Sequence, residues 1–62
     1  MTARQIAMVD NLTAAAWSQV FHAAQQELEA KFNGDAALSL RWTAIREEAT
    51  RRANVLEAKR NA

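Results

Sequence analysis

The chain contains no cysteine and no proline, a single glycine, a single histidine and only four aromatic residues among its 62. Without cysteine there are no disulfides and no thiol chemistry, although the compartment stays open. One histidine without thiolates also excludes a structural metal as the staple of a small fold. The absence of proline leaves nothing that forces a helix to break. Charges of the two signs nearly cancel, at +1 overall, so net charge speaks neither for nor against a polyanionic partner. Apolar runs reach only three or four residues, as in Ala14–Trp17, against the roughly 20 that a membrane span requires. No basic segment leads into an apolar stretch as a signal peptide would. A soluble, cytoplasmic protein without membrane contact is the default expectation.

Half of the residues are hydrophobic, but fifteen of those thirty-one are alanine. Sixteen bulky apolar side chains remain, few for a chain of this length to order itself around. Small scaffolds that lack disulfides and metals turn to oligomerisation. Self-association is therefore expected.

The one glycine lies in Asn33-Gly34-Asp35. Glycine accepts the left-handed conformation that closes a helix, and Asp35 can cap the first free N–H groups of the next one. This reads as a stop and a start fused into one turn at 33–35, with helices over about 3–32 and about 36–60. Thr2-Ala3-Arg4-Gln5 fits a capping box. At 100° per residue Arg4, Asn11, Ser18, His22, Gln25 and Glu29 share a polar stripe. Opposite it fall Ile6, Val9, Thr13, Ala16, Val20 and Ala24, with Trp17, Phe21 and Leu28 on the flank. Asp10-Asn11 is the weakest point, since both residues prefer caps to helix interiors. In the second helix Leu38, Trp42, Ile45, Ala49, Ala53 and Leu56 approach a coiled-coil spacing. Glu47 with Arg51, and Glu48 with Arg52, stand at i, i+4 with the acid first.

Folding the helices back on the turn pairs positions whose numbers sum to roughly 68, counting outward from Gly34. Trp17 then faces Ala49 and Ala53, and Trp42 faces Ala24 and Leu28, so both rings are expected in the core against small residues. Ile6, Met8 and Val9 fall opposite Lys59 and Arg60 and overhang the second helix. Weaker stripes remain on each helix: Met8, Leu12, Ala15, Ala23 and Ala30 on the first, with Ala37, Leu40, Ala44, Arg51, Val55 and Ala58 on the second. Stripes and overhang together suit a bundle of at least four helices.

No chemistry rises above the polar surface. Ser18 and His22 stand at i, i+4, but a regular helix offers no oxyanion hole and Glu29 is too far along the axis to orient the imidazole. Around His22 the i+3 and i+4 neighbours are Gln25 and Gln26, poor metal ligands. Glu47 and Glu48 point to different faces and form no carboxylate dyad. Arg41, Arg52 and Lys59 lie within about 20° of one another on the second helix. Glu48 interrupts them and no aromatic is interleaved for base stacking.

The fold class expected is all-α: a two-helix antiparallel hairpin that assembles into a four-helix bundle or a larger helical oligomer. That architecture is similar to the Rop-like class of small plasmid RNA-binding regulators, with no motif in common, so the likeness is one of shape. The function expected is a small non-enzymatic protein-interaction module, an adaptor, assembly component or inhibitor of a larger protein, of the kind compact viral and mobile-element genomes often encode. Its partners are itself, as a homodimer or higher oligomer, and another protein met through Ile6, Met8, Val9 and Asp10. The alternative is a Rop-like nucleic-acid-binding regulator using Arg41, Arg52 and Lys59. No catalytic, cofactor or metal residues are expected.

Overall fold

Two capped segments rich in good helix formers account for nearly all of the structure. The computed structural model describes residues 1–61, and these form α1 (Ala3–Phe32) and α2 (Ala36–Arg60). At 1.5 Å per residue α1 runs for about 45 Å without interruption at Asp10-Asn11. Its N-terminus carries the full capping box: Gln5 N–H donates to the Thr2 hydroxyl at 3.2 Å, and Thr2 N–H donates to Gln5 Oε1 at 2.8 Å.

The turn is built from local signals alone. Gly34 adopts φ +75°. Its N–H donates to the Lys31 carbonyl at 3.1 Å, and Asp35 N–H reaches the Ala30 carbonyl at 2.9 Å. These two bonds form a Schellman motif, which fills carbonyls that the helix end would leave unpaired. Asp35 then opens α2 by accepting from Leu38 N–H at 3.0 Å. The chain reverses, and the helices pack side by side in a body 48 × 13 × 11 Å.

The interface between the helices is made of small side chains. Thr13, Ala16, Ala23 and Ala30 are buried from α1, and Ser39, Ala49 and Ala53 from α2. Ala16, Ala23 and Ala30 recur every seven residues, with Val9, Val20 and Glu27 half-buried in the same seam. Thr13, Thr43 and Thr50 each turn a hydroxyl back to a carbonyl one turn earlier, at 2.6, 2.9 and 2.7 Å. Threonine can thus enter the seam without an unpaired polar group, and no buried side-chain polar atom among the described residues lacks a partner.

This seam differs from the expected one. Ala23 and Ala30, assigned above to an outer stripe, are among the most enclosed residues, at 1% and 3% exposed. Trp17 is 39% exposed and lies on the rim, where its indole N–H donates to Glu57 at 3.1 Å. Trp42 is half-buried and meets His22 edge-on, with ring centroids 5.7 Å apart and planes at 85°. Leu38 and Ile45 are exposed, and Ser39 and Arg46 occupy the phases nearer the seam. Alanine lets two backbones approach closely, and that approach leaves no room for an indole between them. The rings are displaced to the flanks.

Candidate functional site

Charges fix the hairpin at two levels. Near the turn, Arg46 Nε donates to Glu27 at 2.9 Å across the helices, and Lys31 Nζ reaches the other oxygen of the same carboxylate at 3.1 Å. Glu27 is in phase with the alanine seam, and only 12% of its side chain is exposed. The Arg46 hydrogen bond foremost, then Lys31 and the Thr43 hydroxyl, lower its pKa from 4.5 to about 2, and Arg46 is raised in return by Glu27. At the open end Arg60 Nε donates to Asp10 at 2.9 Å and Arg60 Nη1 lies 3.5 Å from Glu57. Asp10 and Arg60 sum to 70, close to the register read from the turn.

The expected i, i+4 pairs of α2 are replaced. Glu48 pairs with Arg51, one turn away at i+3 and 2.6 Å, which lowers the Glu48 pKa, with a smaller contribution from Arg52. Arg52 instead crosses to Gln19 at 3.4 Å.

The residues expected to meet a partner are only partly brought together. Ile6 (48% exposed) and half-buried Val9 line a shallow recess of about 140 Å³ with Met1 and Arg60. Met8 is exposed but lies outside that recess, and Asp10 is engaged by Arg60. Of the basic stripe, Arg41, Arg52 and Lys59 are all exposed on one flank of α2, with exposed Glu48 among them. Ser18 and His22 stand beside each other on the wall of an open groove of about 590 Å³, completed by Gln19, Trp42, Ile45 and Arg52. No group of three potential metal ligands occurs among the described residues.

The flank of α1 that carries Trp17, Phe21 and Leu28, where the sequence register set Trp17 against Ala49 and Ala53 and Leu28 against Trp42, is exposed. Of the sixteen bulky apolar side chains twelve are exposed, including Phe21 at 66% and Leu28 at 69%, and none is fully enclosed. Trp17, Phe21 and Leu28 follow one another at spacings of four and seven along one side of α1. That periodicity was the available signal. No helix among the described residues is long and apolar enough to cross a membrane. In comparisons with known proteins, no family model matches the chain, and neither does any curated protein or any solved structure.

Proposed function

We propose that the chain is a non-enzymatic protein-interaction module that works as a self-associated helical bundle, serving as an adaptor, an assembly component or an inhibitor of a larger protein. One observation carries this reading: the interior is alanine, serine and threonine, whereas twelve large apolar side chains face outward. Exposed apolar surface on this scale, in a body so thin, is the mark of an interaction surface. A single hairpin also buries little of the apolar area from which folded proteins draw their stability.

The second partner, another protein, is met at the open end. There α1 extends past the Asp10–Arg60 pair, and Ile6 and Met8 are not covered by α2. Ile6 and Val9 beside the Asp10–Arg60 ion pair give an apolar centre with a charged rim, as protein interfaces have. Light scattering over a dilution series tests the first half, with about twice the 6.9 kDa chain mass expected and a constant monomer mass opposing it. Affinity capture with Ile6→Asp tests the second half. Loss of one defined partner at unchanged oligomer mass supports the open end, and collapse of the oligomer assigns Ile6 to the bundle instead.

Exposure of Arg41, Arg52 and Lys59 on one flank favours the Rop-like reading as the second choice. It ranks lower because Glu48 stands among them and Arg52 is turned toward Gln19. Binding to RNA or DNA that falls steeply with salt and disappears on reversing these three charges would put it first.

A further inference from the structure

The exposed side of α1 is arranged to receive its own copy. Ala14, Trp17, Phe21, Ala24 and Leu28 follow at spacings of 3, 4, 3 and 4, the spacing of a second helix-packing seam. At 100° per residue this stripe lies roughly 110° around α1 from the alanine seam that meets α2. A helix at the corner of a four-helix bundle presents two seams in about that relation. Its members are available: Trp17, Phe21 and Leu28 are exposed, Ala14 is exposed and Ala24 is half-buried.

Read in the opposite direction, the order of large and small residues along the stripe is complementary to itself on either side of Phe21. Two copies of α1 laid antiparallel about Phe21 place Leu28 opposite the second copy's Ala14 and Trp17 one residue, about 1.5 Å along the axis, from its Ala24. Phe21 meets Phe21 on the two-fold axis. Trp17 and Leu28 then each find an alanine, as interdigitated packing requires, and the interface is isologous. The same register brings Asp10 within one residue of Lys31 of the second copy, twice. Both side chains are about half exposed beside their pairs with Arg60 and Glu27, at 47% and 60%. In a parallel arrangement Trp17 would face Trp17, alanine would face alanine, and the like charges of Asp10 and of Lys31 would stand opposite each other. The corresponding side of α2 carries Thr43, Glu47, Thr50 and Asn54, polar residues that compete poorly for the stripe.

We infer that a second copy of this chain packs α1 against α1 in antiparallel fashion, with Phe21 on the two-fold axis and Asp10 beside the partner's Lys31. The inference rests on the self-association proposed above and specifies its geometry. A standard interface takes roughly 800 Å² from each partner, about a sixth of the 4689 Å² of this chain, which one long side of the hairpin can supply.

The absence of cysteine makes the geometry directly testable. Helices packed 8–10 Å apart, each with a Cα radius of about 2.3 Å, bring residues on the axis to a Cα separation of ~5 Å, within disulfide reach. Phe21→Cys should therefore cross-link to itself under mild oxidation. Ala14→Cys and Leu28→Cys should each cross-link weakly alone and several-fold more when mixed. Ile45→Cys, on the other flank, should remain uncross-linked. The mixed pair retains Phe21 and so guards against loss of the interface in Phe21→Cys. A wild-type dimer in which only Ile45→Cys cross-links overturns this geometry and leaves self-association standing. Efficient self-cross-linking of Ala14→Cys and Leu28→Cys, each alone, overturns it in favour of parallel pairing. A monomer at all concentrations overturns both proposals.

Discussion

Filling the alanine seam should destabilise the protein, although it makes the interior more hydrophobic. Ala53 is its most enclosed member, at 0% exposed. Ala53→Leu adds three carbons where the neighbouring helix stands close. The axes must move apart or the side chain must leave its rotamer, and overpacking of this kind costs roughly 1–3 kcal/mol. At about 4–8 °C per kcal/mol for a domain of this size, the melting temperature should fall by roughly 5–20 °C. Ala58→Leu, at an exposed position of the same helix, should change stability by no more than about 0.5 kcal/mol. Circular dichroism melts at matched chain concentration provide the measurement, because the proposed association would contribute to the apparent stability. A melting temperature for Ala53→Leu at or above that of the wild type would refute the reasoning. It would mean that the seam is loose and that the flanking rings, rather than the alanines, hold the helices together.

Three further expectations follow from local features. The Glu27 carboxyl sits at about 2 in the fold against an ordinary 4.5, so between those values the unfolded chain binds a proton that the folded chain does not; stability should fall as pH drops through that window, and thermal melts of Glu27→Gln should show a flatter dependence there. Gly34→Ala meets no atom within 4 Å, so its cost is that of φ +75° alone, roughly 1 kcal/mol by urea titration, and an unchanged midpoint would deny that the turn needs glycine. Thr2→Ala removes the capping hydroxyl, which is worth about 1 kcal/mol, and should speed amide exchange in the first turn of α1 while sparing residues around Ala23; uniform acceleration along the helix would contradict a local cap.

The hairpin itself was legible because its determinants are local. Thr2 and Gln5, Gly34, and Asp35 each act through hydrogen bonds to neighbours three to five residues away. Which face of each helix turns inward was only partly legible. Alanine is only weakly hydrophobic, so the direction of the apolar face was set by Trp17, Phe21 and Leu28, and the stripe read from sequence was rotated toward them. Ala23 and Ala30 were assigned outward for that reason, although they continue the seven-residue repeat of Ala16. The buried place of Glu27 was missed because a carboxylate reads as surface until Arg46 and Lys31 are seen to reach it from two helices. The partners of Glu48 and Arg52 depended on rotamers, which spacing alone does not fix.

The allocation of small residues inside and large residues outside links folding to association. An alanine seam holds two backbones close and gains dispersion contacts along their whole length, but each alanine removes little apolar surface from water. The area that would repay the entropy of ordering two long helices resides instead in Trp17, Phe21, Leu28, Leu40 and Val55, and these are exposed in the single hairpin. Moving them inward is closed off by the seam, since an indole or isobutyl group between the helices would force apart the backbones that alanine brings together. The remaining way to remove them from water is a surface from another chain. The caps and the glycine turn decide the shape of the hairpin, and under the proposed self-association a partner surface would supply much of the stability of that shape. On the self-association proposed above, stability should therefore rise with chain concentration, because a ligand that binds only the folded state stabilises it by mass action.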